Sequence, residues 1–235
     1  MDEKEPAVPK KSVAREYLES IVVAVILALF IRTFAVQAFK IPTGSMETNL
    51  LIGDHLLVNK LVYSPSLAPL ESRLLGKKKI QRGHIVVFKF PEDPSRDFIK
   101  RVIGLPGETV EIRDKQVFID GKPIEEPYAH FLEPPLRHDD LEYGLRGESI
   151  RDNYPPQVVP EGQLFVMGDN RDNSRDSRSW GFLPIDQVKG RALLVYWSYH
   201  ASKEEYQRTG VWPYLRDTAV AFWKTNWKRS FTLIR

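Results

Sequence analysis

Cysteine is absent from this chain of 235 residues. Its absence excludes disulfides, zinc–thiolate sites and thiol nucleophiles. An excess of charge of one sign is also absent, because 34 Lys and Arg residues stand against 31 Asp and Glu residues and leave a net charge of +3. So small a charge neither supports nor excludes nucleic-acid binding. Since the sequence has no helix-turn-helix pattern, we expect no nucleic-acid partner.

Two common catalytic signatures are missing as well. The sequence contains neither the G-x-S-x-G motif of α/β-hydrolases nor the H-E-x-x-H motif of zinc proteases. Its five histidines are scattered, and two of them, His55 and His138, have a charged neighbour, which is typical of surface residues. A hydrolytic site in this chain would therefore need a base other than histidine.

One long apolar segment is present near the N-terminus. Residues 21–31 are all apolar, Arg32 follows, and the apolar character resumes up to Phe39. Residues 17–39 are together long enough for a helix to cross a hydrocarbon core of about 30 Å, with Arg32 reaching toward one surface. The alternatives are a cleaved signal peptide and a buried core helix. Because the sequence KIP that follows is not a small-x-small cleavage site, we predict an uncleaved transmembrane helix.

The charges before this helix indicate its orientation. Positive residues close to a membrane span favour the cytoplasmic side, whereas acidic residues contribute little. The basic residues ahead of the span are Lys4, Lys10, Lys11 and Arg15. We therefore expect residues 1–16 in the cytoplasm and the bulk of the chain on the opposite side of the membrane.

Short strand-forming runs dominate the chain after the apolar segment. They are rich in Val, Ile and Phe and lie between turn residues, which predicts a mostly β, antiparallel body. The sequence TVEIRDKQVFIDGKP predicts a hairpin around Asp114-Lys115 and a turn at Asp120-Gly121. The predicted strands are residues 55–59, 84–90, 98–103, 109–113, 116–119, 164–167 and 192–197.

Two segments depart from this pattern. Residues 125–161 are dense in proline and charge, which predicts a long, irregular surface excursion. Residues 201–235 end in a mixture of aromatic and basic side chains, which suits either a membrane interface or a helix packed on the body. The aromatic residues are Phe222, Trp223, Trp227 and Phe231, and the basic ones are Lys224, Lys228, Arg229 and Arg235.

Two residues could form a catalytic pair without histidine. Ser45 lies in PTGSM, six residues after Phe39 and so within roughly 20 Å of the bilayer. Lys100 lies in FIKRVI, where apolar neighbours on both sides can lower its pKa from about 10.4. A neutral lysine can take the proton of a serine hydroxyl. Taken singly, a loop serine and a solvated strand lysine explain the same residues.

A third conspicuous segment is GDNRDNSRDSRSWG, residues 168–181. Its aspartates and asparagines resemble a calcium loop, but the spacing departs from D-x-[DN]-x-[DN]-G and no glutamate follows at the required place. Its three arginines would also oppose a cation. We therefore predict no metal here, and favour a rigid network of Asp–Arg pairs that holds a site.

Together, in this order and after this anchor, these segments resemble the bacterial signal peptidase I (leader peptidase) family. The matching segments are FKIPTGSM, LIGDHLLVNK, RGHIVVFKFP, DFIKRVIGLPGE and GDNRDNSRDSRSWG. Each motif alone has modest specificity, whereas the set covers most of the chain. The resemblance implies a membrane-bound serine endopeptidase that removes signal peptides from exported preproteins, with a serine–lysine dyad and without a metal or cofactor.

The resemblance also assigns roles to individual residues. It implies Ser45 as the nucleophile and Lys100 as the general base, with the Ser45 backbone N–H and the Thr43 hydroxyl forming the oxyanion hole. Thr43 stands where the family often has serine. The implied supporting residues are Ser174, as a hydrogen-bond partner of the lysine, the ion pair of Asp176 and Arg178, and Asp169 and Arg171. The implied pockets accept small residues one and three places before the cut, and are lined by Phe39, Ile41, Pro42, Met46, Leu50, Leu56, Phe98 and Ile99.

For the fold, the resemblance implies a catalytic β domain interrupted by a variable, β-rich second domain. We expect the catalytic domain at residues 40–108 and 161–200, with the second domain inserted at 109–160. The expected location is the bacterial inner membrane, with the catalytic domain on its outer, periplasmic face. The expected partners are the signal peptides of preproteins, membrane lipid and the export translocon.

Three other functions fit parts of the sequence. A self-cleaving serine–lysine repressor would need a DNA-binding domain and a cytoplasmic location, which the anchor argues against. An inactive, membrane-tethered binding protein with the same fold would have no need of both Ser45 and Lys100. A calcium-binding surface protein would depend on residues 168–181.

Overall fold

Antiparallel β-sheet forms most of the part of the chain that the structure describes, as the sequence predicts. The structure is a computed structural model that describes residues 12–61, 79–132, 151–199 and 224–234. The helices within these ranges are α1 (Val13–Phe30) and α2 (Ser177–Trp180), and the strands are β1 (Val36–Lys40), β2 (Asp54–Asn59), β3 (Ile85–Phe90), β4 (Asp93–Gly104), β5 (Thr109–Arg113), β6 (Gln116–Ile119), β7 (Lys122–Pro123), β8 (Tyr154–Val158), β9 (Gln163–Met167), β10 (Leu183–Pro184), β11 (Val188–Ser198) and β12 (Thr232–Leu233). The seven predicted strands are all present, although β4 and β11 begin earlier than predicted.

The N-terminal helix is long and apolar enough to cross a membrane. Helix α1 continues through a π-helical turn at Ile31–Ala35, so Val13–Ala35 forms one helix of 23 residues with a mean hydropathy of 2.2. None of its apolar window is buried against the rest of the protein. Because large apolar side chains exposed in this number are unfavourable in water, the helix fits a lipid environment.

This helix ends earlier than the sequence predicted. Residues 36–39, which we assigned to the anchor, belong to β1 instead. Strand β1 pairs antiparallel with β2 and places Phe39 opposite Leu56. The neighbouring strand supplies the backbone hydrogen bonds that a continuing helix would have made internally, which length and hydropathy alone could not reveal. The anchor therefore passes directly into the sheet.

One sheet carries Lys100 and its neighbour Arg101 on a strand close to its middle. Its strand order is β1-β2-β11-β3-β4-β9-β10, and β12 also pairs with β11. Strand β4 lies between β3 and β9, so that Lys100 is opposite Val86 and Arg101 is opposite Met167. The segment that begins at Gly168 therefore leaves β9 directly beside these two basic residues.

A second sheet has the strand order β7-β6-β5-β8. Its central hairpin turns at Asp114 and Lys115, which have φ values of 47° and 68°, and its next turn at Asp120 and Gly121 has φ values of 50° and 75°. Positive φ at both central residues matches the twist of hairpin strands, so both predicted turns are confirmed. These four strands lie within residues 109–160, and the division into two domains stays a prediction.

The proline-rich stretch is more ordered than the sequence predicted. Strand β8 comes from this stretch and pairs with β5 at the edge of the second sheet. Residues 126–132 contact the segment after β9, and residues 133–150 lie outside the described residues. The prediction of an irregular excursion is therefore wrong for residues 154–158, whereas residues 126–132 are irregular as predicted. Proline argues against central strands, but an edge strand tolerates it because fewer of its N–H groups need partners.

The C-terminal segment packs on the body where the structure describes it. Strand β12 pairs with β11, and Ile234 packs against a buried apolar cluster. Residues 224–234 therefore pack on the body, but as turns and a short strand and not as the helix of that alternative. Trp227 and Phe231 remain 59% and 76% exposed, so contact with lipid stays a prediction. Phe222, Trp223 and Arg235 lie outside the described residues.

Candidate active site

Ser45 lies in a tight turn between β1 and β2. Gly44–Met46 forms one 3₁₀ turn, and Thr43 precedes it in an extended conformation. Met46 is fully buried, and its carbonyl accepts a hydrogen bond of 2.8 Å from the Leu50 N–H. The Met46 side chain thus fixes the turn on the apolar core, and Ser45 is left 9% exposed.

The segment after β9 holds the backbone of this turn. A Cβ atom at Gly168 would lie only 2.5 Å from the Ser45 carbonyl oxygen, so this close approach requires glycine. The Asn170 N–H donates to the Ser45 carbonyl, and Asn170 Nδ2 donates to the Gly44 carbonyl, both at 3.2 Å. The segment GDN at 168–170 therefore positions the serine by holding the main-chain carbonyls of Gly44 and Ser45.

Lys100 meets Ser45 from strand β4. Its Nζ lies 2.7 Å from Ser45 Oγ, which is hydrogen-bond distance, and 3.0 Å from the Ile99 carbonyl oxygen. The Phe98 ring centroid is 5.5 Å from the same nitrogen. Lys100 is 3% exposed. The structure therefore brings together the serine and lysine that the sequence singled out, although 55 residues separate them.

The surroundings lower the pKa of Lys100 from 10.5 to about 8. Burial is the main cause, because it disfavours the charged amine. Asp176 and Asp169 raise the pKa, and Arg178 lowers it. No carboxylate oxygen among the described residues lies within ion-pair distance of Lys100. An amine with this pKa is neutral in a useful fraction near pH 7–8 and can accept a proton.

Asp169 pairs with the arginine next to this lysine. Arg101 donates from Nε to Oδ1 at 2.8 Å and from Nη2 to Oδ2 at 2.7 Å. Both side chains are buried, and this two-point geometry is the strong form of an Arg–carboxylate pair. Because successive strand side chains point to opposite faces, Lys100 meets the serine while Arg101 meets Asp169.

Asp176 and Arg178 form a second buried ion pair. Arg178 donates from Nε and Nη2 to the two carboxylate oxygens, each at 2.9 Å. The Gly168 N–H also donates to Asp176 Oδ2. Burial raises the pKa of Asp176, but Arg178 and the donated hydrogen bonds outweigh it and hold the pKa below its usual range. The fixed negative charge therefore persists close to Lys100 at neutral pH.

Arg171 joins the segment after β9 to the proline-rich stretch. Its guanidinium donates to both oxygens of Glu126, at 2.9 and 2.6 Å, and its Nε donates to the Gly168 carbonyl. Arg171 is 1% exposed. Burial lowers its pKa, but the Glu126 carboxylate more than compensates, and the net shift is upward. Arg171 is therefore a buried cation with a matched partner.

The contacts of Ser174 and Thr43 do not test the roles predicted for them. The Ser174 hydroxyl is buried and close enough to Asp176 to lower the pKa of that carboxyl, but it has no hydrogen-bond partner of normal geometry among the described residues. Thr43 is exposed, and its side chain makes no capping hydrogen bond to the turn that carries Ser45. Their roles toward the lysine and the oxyanion stay predictions.

The residues predicted to line substrate pockets fall into two groups. Four of them are almost completely buried in one apolar cluster beneath the Ser45 turn: Ile41, Met46, Leu50 and Leu56. The other four keep solvent access: Phe39, Pro42, Phe98 and Ile99. Only the second group can contact a substrate without a rearrangement of the core.

Several residues around the site were not predicted from the sequence. They are Asn49, Arg101, Glu126, Tyr128 and Asn170. Asn170 and Arg101 directly follow the predicted site residues Asp169 and Lys100. A search of the sequence neighbours of predicted residues could therefore have found both. Glu126 and Tyr128 lie in the proline-rich stretch, where only the folded chain shows that Glu126 lies against Arg171 and Tyr128 against Arg101.

The aspartates of residues 168–181 bind basic side chains. Asp169 pairs with Arg101, Asp172 with Lys115, and Asp176 with Arg178. The described residues contain no group of three or more His, Asp or Glu side chains that could hold a metal ion. The chemistry that this arrangement can perform is proton transfer between a hydroxyl and a buried amine.

Comparison with known proteins places the chain among peptidases. The family described as "Signal peptidase, peptidase S26" matches residues 14–197. Signal peptidase I of Pseudomonas aeruginosa is 34% identical over 243 aligned positions, which cover 90% of this chain and 85% of that protein. Signal peptidase I of Pseudomonas fluorescens is 35% identical, with 83% and 76% covered. Probable signal peptidase I-1 of Synechocystis is 40% identical, with 77% and 82% covered.

Proposed function

This chain belongs to the signal peptidase family, peptidase S26, and we propose that it removes signal peptides from exported preproteins by means of a Ser45–Lys100 dyad. The 2.7 Å separation of Lys100 Nζ and Ser45 Oγ carries the proposal. A serine hydroxyl is a weak nucleophile until a base takes its proton. Lys100 is the buried basic group within reach of that hydroxyl.

The proposed reaction begins with proton transfer. The neutral Lys100 amine takes the Ser45 proton, and Ser45 Oγ attacks the carbonyl carbon of the scissile bond. The Ser45 N–H and the Thr43 hydroxyl stabilise the oxyanion, and one such donor typically contributes ~3–4 kcal/mol to catalysis. Lys100 then passes the proton to the leaving amine, and water hydrolyses the acyl-enzyme. No step requires a metal or a cofactor.

The proposed specificity is for small residues one and three places before the cut. Phe39, Pro42, Phe98 and Ile99 are apolar and only partly covered. The fully buried Met46 and Leu56 lie behind them and leave no room for a deep pocket without a change in the core. A shallow apolar surface of this kind accepts alanine and rejects bulky side chains by overlap.

The proposed location is the bacterial inner membrane. The helix Val13–Ala35 would anchor the chain, with the N-terminus in the cytoplasm and the sheets on the periplasmic side. Because β1 follows this helix directly, Ser45 stays near the membrane surface, where the apolar part of a signal peptide presents its cleavage site. Membrane lipid and the export translocon are the proposed neighbours.

Cleavage of a purified preprotein by the detergent-solubilised protein tests the proposal. We expect cleavage after a small-x-small site, and no cleavage when the last residue before the cut is changed to Leu. We expect folded Ser45→Ala and Lys100→Met to be inactive. Ser95→Ala serves as a matched control, because Ser95 is exposed on β4 and its hydroxyl donates to the nearby Asp93.

Three outcomes would contradict the proposal in different ways. Cleavage by Ser45→Ala at the wild-type rate would exclude this serine as the nucleophile. Undiminished cleavage by Lys100→Met would place the base elsewhere. Binding of preproteins by a wild type that never cleaves them would favour the inactive binding protein instead.

A further inference from the structure

Asn49 joins the Ser45 segment to two other parts of the chain. It lies four residues after Ser45, and its side-chain Nδ2 donates to Asp169 Oδ2 at 2.8 Å and to the Tyr128 carbonyl at 3.0 Å. A carboxylate and a carbonyl can only accept hydrogen bonds, so the orientation of the amide follows from its partners. Both hydrogens of the amide group are thereby used.

The first of these bonds completes a closed path through the candidate dyad. Asp169 binds Arg101 at two points, Arg101 is the neighbour of Lys100 on β4, and Lys100 contacts Ser45. The path returns from Ser45 to Asn49 along the tightly turned backbone of 45–49. The serine and the lysine are therefore connected both directly, at 2.7 Å, and through Asn49, Asp169 and Arg101.

The backbone of Asn49 is fixed from the other side. Its carbonyl accepts a hydrogen bond of 2.8 Å from Arg229 Nη2, and the same nitrogen donates to Asp54 Oδ2 at 2.7 Å. Asp54 is fully buried and also accepts from the Leu51 N–H. The C-terminal segment thus holds the chain at Asn49 and at Asp54, so that the Asn49 side chain has little freedom to leave Asp169.

We propose that Asn49 is a positioning residue that sets the distance between the Ser45 hydroxyl and the Lys100 amine, by bonding the serine segment to Asp169 and hence to β4. This inference rests on the proposed function of the dyad. Proton transfer needs the two atoms within about 3 Å. A displacement of about 1 Å in such a pair can cost roughly 100-fold in rate. Asn49 acts through the dyad and does not itself touch the reacting atoms.

Asn49→Ala removes both donors and tests the proposal, with Thr48→Ala as the matched control. Thr48 is the exposed neighbour on the same turn. We expect kcat for preprotein cleavage to fall roughly 10- to 100-fold in folded Asn49→Ala, with KM changed less than about twofold. Thr48→Ala should keep wild-type values. A wild-type kcat in folded Asn49→Ala would overturn the proposal.

The midpoint of the pH–rate profile for cleavage distinguishes a positioning role from a general loss of protein stability, which would leave that midpoint unchanged. The charged groups that act on Lys100 are Asp176, Asp169 and Arg178. Loss of the Asn49 N–H leaves the Asp169 charge less compensated, which raises the pKa of Lys100 and moves the midpoint of the pH–rate profile upward. An unmoved midpoint together with an unchanged kcat would contradict the role.

Hydrogen exchange separates this proposal from the proposed function. In Asn49→Ala we expect faster exchange of the amides at 44–50, and no change there in Thr48→Ala. If the wild type cleaves no preprotein, the proposed function fails, and the exchange rates still decide whether Asn49 fixes the turn. If Asn49→Ala does not fold, Asn49→Leu replaces it, because leucine has a similar size and no donor; wild-type exchange and kcat in that variant would overturn the proposal.

Discussion

Two buried lysines of this protein have opposite surroundings. Lys100 is 3% exposed, contacts a serine hydroxyl, and has no carboxylate at ion-pair distance among the described residues. Lys115 is 8% exposed and lies in the hairpin turn between β5 and β6. Its Nζ is 3.0 Å from Asp172 and 3.7 Å from Asp152.

The difference shows that burial alone does not decide whether a lysine has a structural or a catalytic role. A buried amine that touches carboxylates serves as a structural cross-link, here between the second sheet and the segment after β9. A buried amine without such a partner is easier to deprotonate and can serve as a base. The same residue type therefore supports structure at one site and chemistry at the other, according to which oxygen atoms it meets.

The largest expected effect is on activity, and it distinguishes the two lysines. Lys100→Met should lower kcat by roughly 10⁴-fold or more, because the proposed base is lost. Lys115→Met should keep activity within about tenfold when it is folded, because its contacts lie away from the dyad. Initial rates of preprotein cleavage measure both. Equal losses in the two variants would remove the distinction.

The next effect is on stability, where we expect Lys115→Met to lose more than Lys100→Met. Lys115→Met removes the buried cation that lies 3.0 Å from Asp172 and 3.7 Å from Asp152 and leaves Arg151 near both carboxylates, which should lower the free energy of unfolding by roughly 3–5 kcal/mol. Lys100→Met replaces an unpaired buried amine with an apolar group of similar size and should cost little. Denaturant unfolding, followed by circular dichroism in detergent, compares them; a larger loss in Lys100→Met would contradict the account.

The pH dependence of that stability sharpens the comparison. Because folding lowers the pKa of Lys100 from 10.5 to about 8, the folded state binds fewer protons than the unfolded state between these values. The free energy of unfolding of the wild type, relative to Lys100→Met, should therefore rise as the pH increases from about 8 to 10.5. Unfolding curves at several pH values measure this difference. A flat difference would mean that Lys100 titrates normally.

The smallest expected effect is a shift in the pKa of Lys100 when a single nearby charge is removed. Asp176 is the strongest of the charges that raise the pKa of Lys100. Asp176→Asn should therefore move the midpoint of the pH–rate profile below about 8, while the nearly identical shape of asparagine limits the structural change. The profile of kcat/KM between pH 6 and 10 measures the midpoint. A shift to higher pH would contradict the assigned direction.

The sequence sufficed for the parts of this protein that short motifs encode. Short runs rich in Val, Ile and Phe predicted the seven strands, and the Asp-Lys and Asp-Gly pairs predicted the turns of the second sheet. Ser45 and Lys100 stood out because a serine after an apolar anchor and a lysine between apolar residues are both unusual. Each of these signals is local, which means that a single short stretch of sequence contains all the information needed to recognise it.

The remaining contacts depend on chain segments that are distant in sequence. Asn49 and Asp169 are 120 residues apart, and Glu126 and Arg171 are 45 apart, so no local pattern reveals either pair. The end of the anchor was misplaced for the same reason, because residues 36–39 form a strand only where β2 lies beside them. These contacts and the end of the helix therefore depend on tertiary pairing and not on local composition.

A direct titration of the Lys100 amine tests the central claim. NMR of the protein carrying ¹³C-labelled lysine reports each amine, and Lys100→Met identifies the relevant signal by its loss. The account predicts a pKa of about 8 for Lys100 in the wild-type protein. A pKa of about 10.5 would contradict it, because the amine would then carry a proton at neutral pH and could not accept one from Ser45.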